Sequence, residues 1–172
     1  MKNKLFISLW LIGVGVILGC QDEKPKRPQI FTNDFESYFG YDNNVYLGKG
    51  YSGKAYYRMN PDLEFSPTFI QQFRAIDRQR FSKVIFSGYV YMPYFTNSAV
   101  MTIQIWAPNG HPIKVAKKNL YAQNMGINRW SKVSFELPLE KLFAPDNQLR
   151  CFIHNPSRQI FYLDDLSVEF LI

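Results

Sequence analysis

Short runs of alternating apolar and polar residues, separated by turn residues, recur from residue 31 to the end of the chain. The sharpest run spans residues 100–106, with Met101, Ile103 and Ile105 at its apolar positions and Thr102, Gln104 and Trp106 between them. Because successive side chains of a strand point to opposite faces, this run predicts a strand that buries one face. Residues 83–92 and 130–137 alternate similarly, with Tyr89 and Tyr91 opposite the apolar face of the first run.

Weaker signals complete the pattern. Strands are predicted at residues 54–58, 113–117, 149–154 and 160–170, residues 31–39 open the domain, and residues 68–73 fit a strand or a short helix. In the last strand the predicted apolar face is Tyr162, Leu166, Val168 and Phe170, interrupted by Asp164 and Asp165. About eight strands without β-α alternation predict an all-β, two-sheet antiparallel β-sandwich of the jelly-roll kind.

The N-terminus has a different pattern. A basic start is followed by an apolar segment at residues 5–19, and the sequence Ile17-Leu18-Gly19-Cys20 resembles a bacterial lipobox. The segment is short for a membrane span, so residues 1–19 are interpreted as a lipoprotein signal peptide. An uncleaved anchor or an ordinary secretory signal are the alternatives. All three interpretations of the N-terminal segment predict that the rest of the chain is an extracytoplasmic domain.

Cys20 is the predicted lipidation site, and its lipid would anchor the protein to a membrane. The acidic pair at residues 22–23 resembles the export tag of surface-displayed lipoproteins, and the Lys- and Pro-rich residues that follow predict a flexible tether over residues 20–29. The expected location is the outer membrane or the cell surface. Residues 30–172 remain for a single domain.

Charge argues against nucleic acid as a partner. The chain carries a net charge of +6, but residues 30–172 hold 15 basic and 12 acidic residues, a net charge of +3. Nucleic-acid binding usually requires a concentrated basic face. The local basic cluster of Arg74, Arg78, Arg80 and Lys83 is interpreted as a solvated edge.

Candidate catalytic groups are scarce. With Cys20 lipidated, Cys151 has no disulfide partner, and its alternation with Leu149 and Ile153 predicts a buried small hydrophobe. His111 and His154 both lie near turns, and no zinc site is predicted from them. Since no nucleophile, base and orienting group occur in a recognisable spacing, we do not expect an enzyme.

A set of segments carries a family resemblance. In chain order they are residues 33–37 (NDFES), 51–55 (YSGKA), 83–90 (KVIFSGYV), 130–135 (WSKVSF) and 161–168 (FYLDDLSV). Their order resembles that of galactose-binding-like jelly rolls, and especially their carbohydrate-binding modules. The resemblance covers nearly the whole domain.

The resemblance implies a structural calcium ion. The candidate ligands are Glu36, the carbonyl around Lys54, and Asp165, with Asp34 as a further candidate. Hard oxygen ligands from both chain ends would suit Ca²⁺ and would close a domain that lacks disulfides. The alternative is that the aspartates accept backbone hydrogen bonds and that Glu36 is an exposed residue.

The resemblance also implies which strands share a sheet, namely those around residues 68, 100, 113 and 149. The face of that sheet opposite the core would present Thr102 together with the candidate ligand-binding residues Gln104, Trp106, Arg150, Phe152 and His154. Aromatic rings pack on sugar C–H groups and the polar side chains hydrogen-bond hydroxyls. Alternatively, Trp106 and Phe152 pack under loops. Tyr89 and Tyr91 form a comparable pair on the other sheet, and Trp130 is expected to close the edge of the core.

Two functional classes follow. The first is a lipid-anchored, non-catalytic carbohydrate-binding-like module of the bacterial envelope, with a glycan as its partner. The second is a structural or protein-interaction subunit of an envelope complex, with an envelope protein as its partner. Fold alone does not separate them.

Overall fold

The structure is a computed structural model that describes residues 28–38, 40–76, 81–94, 98–123, 125–139 and 143–172. The predicted signal peptide, Cys20, most of the predicted tether, and Arg78 and Arg80 lie outside the described residues. Within these ranges the chain forms strands and three short 3₁₀ turns. No helix among them is long and apolar enough to cross a bilayer.

Ten strands lie in the described ranges. They are β1 (Gln29–Asn33), β2 (Val45–Leu47), β3 (Ala55–Met59), β4 (Phe69–Gln72), β5 (Lys83–Tyr91), β6 (Val100–Trp106), β7 (Pro112–Asn119), β8 (Trp130–Pro138), β9 (Gln148–His154) and β10 (Phe161–Leu171). The ambiguous segment at residues 68–73 is a strand followed by a 3₁₀ turn, Phe73–Ala75. The three-residue β2 is too short to show an alternation and was not predicted.

The strands form two antiparallel sheets. The six-stranded sheet has the order β2-β3-β10-β5-β8, with β1 also paired to β10, and the four-stranded sheet has the order β4-β9-β6-β7. The predicted all-β sandwich is therefore confirmed. The four-stranded sheet also contains the four segments that the resemblance grouped together.

The core lies between the two sheets and follows the predicted alternation. The six-stranded sheet contributes Val84, Phe86 and Val90, and the four-stranded sheet contributes Met101, Ile103, Ile105, Leu149, Cys151 and Ile153, all of them buried. Burying one such side chain contributes roughly 1.5–3 kcal/mol, so these facing rows hold the sheets together. Cys151 is a buried hydrophobe, as expected.

A bulge in β10 overturns one predicted face. The pairing of β10 with β5 shifts register between Asp164 and Ser167, and Asp165 has a left-handed φ of 48°. The extra residue changes the phase of the strand, so Leu163 points inward before the bulge and Leu166 after it. Tyr162, which was assigned to the apolar face, is therefore partly exposed on the outer face.

The partner strand accommodates this bulge with a glycine. A Cβ atom on Gly88 would lie 2.6 Å from Cδ2 of Leu166, which is closer than side-chain packing allows. Gly88 thus gives Leu166 room to enter the core directly after the bulge. The sequence signal was present as a glycine in an otherwise apolar row.

Candidate functional site

Five aromatic side chains cross the outer face of the six-stranded sheet, one on each of five neighbouring strands. We call them the aromatic row: Tyr46 on β2, Tyr56 on β3, Tyr162 on β10, Tyr91 on β5 and Trp130 on β8. Each occupies the outward phase of its strand, and the residues on both sides of Tyr56, Tyr91 and Tyr162 in the chain are buried in the core. Four spacings between strands make the row about 19 Å long.

The rings contact one another in sequence across the sheet. The distances between ring centroids are 6.3 Å for Tyr46–Tyr56, 5.4 Å for Tyr56–Tyr162, 5.8 Å for Tyr162–Tyr91 and 5.7 Å for Tyr91–Trp130. Strand register fixes this order, because Tyr46 lies opposite Tyr56 and Tyr91 lies opposite both Tyr162 and Trp130. Aromatic pairs at these separations favour one another beyond the area that they bury.

The aromatic row lines an open hollow of about 500 Å³. Its walls are Tyr56, Tyr91, Trp130, Tyr162, Lys49, Asn128 and Arg129. This volume lies in the range of small-molecule sites, which combine aromatic walls with a few polar groups. Trp130, which was expected to close the edge of the core, instead ends the aromatic row and is partly exposed.

Of the predicted ligand-binding residues, the structure brings Gln104, Trp106 and Arg150 together. Gln104 lies opposite Arg150 in the four-stranded sheet, and Trp106 donates from Nε1 to Oε1 of Gln104 at 2.7 Å. The Arg150 guanidinium carbon lies 4.5 Å from the Trp106 ring centroid. One face of the ring and its only donor are therefore engaged within the protein, and a ligand would have to displace these contacts.

Phe152 and His154 lie at the other end of the same face. His154 pairs with Val100 and Trp106 pairs with Gln148, so the two ends are separated by six residues along β6, about 20 Å. Phe152 is buried, and Thr102 between the ends is buried too. Buried residues thus separate the partly exposed group of Gln104, Trp106 and Arg150 from His154, and ligand binding by this set stays a prediction.

The end of this face near His154 is covered by an additional aromatic residue. Phe65 stacks on His154 with 5.0 Å between the ring centroids and meets Phe152 edge to face at 5.5 Å. His154 also contacts Glu64 at 3.1 Å through Nε2. This end fits the alternative in which Phe152 packs under a loop.

The candidate calcium ligands meet the loop at residues 50–55 through hydrogen bonds. Oε1 of Glu36 accepts the backbone N–H groups of Lys54 at 2.6 Å and Ala55 at 2.7 Å, which hold the pKa of this carboxyl below its usual range. The Lys54 carbonyl accepts the N–H of Gly48, and Oδ1 of Asp165 accepts the Ser52 hydroxyl. Among the described residues, no three acidic, histidine or cysteine side chains are grouped to hold a metal.

These residues fit a hydrogen-bonded clamp between the two chain ends better than an oxygen cage, because N–H groups face the Glu36 carboxylate and a donating hydroxyl faces that of Asp165. Asp34 accepts the Glu36 N–H, which is a local turn contact. Calcium binding by Glu36, Lys54 and Asp165 stays a prediction.

Asp164 is the second aspartate of this clamp, and it fits the alternative in which the aspartates accept backbone hydrogen bonds. It is fully buried, and its Oδ2 accepts the N–H groups of Tyr51 at 2.7 Å and Ser52 at 3.0 Å. Burial raises its pKa to about 6 against the lowering effect of these bonds. The loop in turn stacks Tyr51 on Tyr89, next to the aromatic row.

Comparison with known proteins gives the fold only. No protein-family model and no curated protein sequence matches the chain. A solved structure of the N-terminal CBM22-1-CBM22-2 tandem domain of Paenibacillus barcinonensis Xyn10C is similar, with 14% identity and a TM-score of 0.52, over 85% of this chain and 46% of the tandem. This chain therefore spans less than half the length of that structure.

Two other solved structures are more distant. The C-terminal CBM6 of LamC from Zobellia galactanivorans has 13% identity and a TM-score of 0.44, over 81% of this chain and 98% of that one. A family 16 carbohydrate-binding module has 12% identity and a TM-score of 0.46, over 76% and 87%. At 14% identity, the likeness to the tandem domain shows the β-sandwich fold alone.

Proposed function

We propose that this domain binds polysaccharide without cleaving it, and that the aromatic row is the binding surface. The observation that carries the proposal is the contiguity of five partly exposed aromatic rings across five strands. Exposed rings of this number on one face are costly unless they contact a partner. Tyrosine and tryptophan supply both flat apolar faces for sugar C–H groups and polar tips for hydroxyls.

The shape of the aromatic row favours a chain over a single sugar. Its rings follow one another across the sheet from β2 to β8, which are edge strands of the six-stranded sheet. A polymer can therefore lie across the strands and extend past both edges. Such an open surface suits internal segments of a polysaccharide.

The lack of catalysis is also part of the proposal. Cys151 is fully buried, and burial raises the pKa of its thiol, so it is a poor nucleophile. We further propose that the protein is a lipoprotein anchored through Cys20 to the bacterial envelope, with the domain facing outward. The lipobox resemblance supports this anchoring.

Binding can be tested by electrophoresis of the full chain, in detergent, through gels that contain single polysaccharides. Tyr91→Ala and Trp130→Ala should each weaken retention about tenfold or more, because tyrosine and tryptophan side chains dominate such interfaces. Trp106→Ala is the matched control, since it removes a partly exposed tryptophan from the opposite outer face. Melting temperatures check that all variants fold.

The outcome separates the two surfaces. Loss of retention in Trp106→Ala alone would move the site to Gln104, Trp106 and Arg150 and refute the aromatic row. No retention of the unaltered protein by any polysaccharide would refute glycan binding.

A second candidate function is docking to an envelope protein through the four-stranded sheet. Its outer face exposes three aliphatic side chains, Ile70, Ile113 and Val115, by 51%, 43% and 47%. Aliphatic side chains offer no stacking surface for sugars but suit protein contacts. To test this function, Val115 is replaced by a crosslinking residue and adducts with other proteins are sought in intact cells. The absence of any adduct would refute the docking function.

A further inference from the structure

Positive charges surround the aromatic row. Lys49 and Arg129 line its hollow, Arg58 lies opposite Tyr162 in the register of β3 with β10, and Lys132 lies opposite Tyr89 on β8. None of the described residues that line the hollow is acidic. The carboxylate of Asp165 lies near Tyr51 and accepts the Ser52 hydroxyl.

Within the described ranges, these four cations have no ion-pair partner. The ion pairs found there are Arg74–Asp146, Lys83–Glu136, His154–Glu64 and Arg158–Glu64, and all of them lie away from the aromatic row. A domain with 12 acidic residues has enough carboxylates to neutralise four cations, yet it places none among the walls of the hollow that the structure describes. This face therefore has a positive potential.

Arg58 gives the strongest indication. Its guanidinium carbon lies 5.6 Å from the Tyr46 ring centroid, so the side chain is held against the aromatic row. Its Nε atom is buried and has no hydrogen-bond partner among the described residues. Because Arg58 as a whole is partly exposed beside the row, its guanidinium can meet an anionic oxygen of a ligand there.

We infer that the ligand of the aromatic row is an acidic polysaccharide, whose carboxylate or sulfate groups are bound by Arg58, Lys49 and Arg129 while its sugar rings lie on the aromatic side chains. This inference rests on the proposed function. Arginine presents a planar fork of donors that matches both anions, and the aromatic floor excludes water around the contact.

The test uses pairs of polysaccharides that share a backbone and differ in charge. Suitable pairs are hydroxyethylcellulose with carboxymethylcellulose and with cellulose sulfate, and carboxyl-reduced polygalacturonate with polygalacturonate. Affinities of the full chain in detergent are measured by calorimetry at low and at raised salt. We expect the acidic member of at least one pair to bind about tenfold or more tightly, and this advantage to shrink as salt screens the charges.

Variants assign the effect to the row. Arg58→Gln and Arg129→Gln should each reduce affinity for the acidic polymer about tenfold more than affinity for its neutral partner, so that the advantage of the acidic polymer shrinks. Arg129 is exposed, so its replacement should not disturb folding even if that of Arg58 does. Arg74→Gln is the control, because Arg74 lies in a surface ion pair away from the row.

Each result decides between specific claims. Equal binding within every pair, with Tyr91→Ala still harmful, would overturn the acidic ligand and leave the proposed function standing. Binding of no polymer from any pair would overturn both. Displacement of the acidic polymer by a lower concentration of single-stranded DNA would overturn the inference in favour of nucleic acid, which also combines anions with stacking bases.

Discussion

Replacement of Asp164 by asparagine tests what holds the loop at residues 50–55 against β10. The carboxylate is fully buried, and besides the N–H groups of Tyr51 and Ser52 it accepts the N–H of Asp165 at 2.8 Å. These bonds favour the charged form, but burial disfavours it more and raises the pKa from 3.8 to about 6. A difference of about 2 pKa units corresponds to roughly 3 kcal/mol between the two protonation states.

The sign of the pH dependence follows from this shift. A carboxyl with a higher pKa in the folded state binds more protons when folded, so its contribution to stability is fully present below pH 3.8 and is lost as the pH rises to about 6. Asparagine does not titrate, but its NH₂ group cannot accept, so it leaves either the Asp165 N–H or the Tyr51 and Ser52 N–H groups without their acceptor at every pH. We therefore expect Asp164→Asn to be less stable than the unaltered protein near the acid limit and to recover up to about 3 kcal/mol relative to it between the acid limit and neutral pH.

The assay is urea unfolding of both proteins at several pH values across this range. Taking the difference at each pH removes the contribution of all other groups. Asp146→Asn is the control, because Asp146 is exposed and pairs with Arg74 on the surface. If the stability of Asp164→Asn relative to the unaltered protein falls or stays constant from acid to neutral pH, the three N–H bonds outweigh desolvation and the reasoning is wrong.

Two further predictions concern the same clamp. Gly53→Ala should lower the melting temperature more than Gly110→Ala. Both glycines have positive φ, at 56° and 80°, so alanine at either position is destabilised by about 1 kcal/mol through its backbone conformation. Only at Gly53 would the added Cβ also collide with the Glu36 carboxylate. Equal shifts would contradict the clamp. Calcium bound by the candidate ligands would make the protein melt at a lower temperature in EDTA than in calcium chloride, and identical melting curves would refute calcium binding.

Local alternation predicted most of the fold. The bounds of β6 were predicted without error, and the burial of Phe86 and Cys151 followed from period two alone. Alternation is informative because each strand of a two-sheet sandwich buries the face that packs on the other sheet, so every second residue must be apolar. The grouping of four strands into one sheet came from the family resemblance, since alternation does not state which strands are neighbours.

Ligand binding by the predicted face stays a prediction, but alternation did not show how much of that face is exposed. Thr102, Phe152 and His154 do lie on the side of the sheet away from the core, but loop residues such as Phe65 cover that end. Loop placement depends on contacts between residues distant in the chain, and the alternation of apolar and polar residues along a strand does not describe these contacts. Trp106 was correctly placed beside Gln104 and Arg150 because all three lie on paired strands.

By itself the sequence determined which residues face the core, that the fold is an all-β sandwich, and that Tyr89 and Tyr91 point outward. Only the tertiary structure decided that Tyr46, Tyr56 and Tyr162 join Tyr91 and Trp130 in one row. These residues are scattered over more than a hundred positions, and strand order and register place them side by side. Tyr162 also required the bulge at Asp164 and Asp165, because one extra residue reverses the phase of a strand and turns a core position into a surface one.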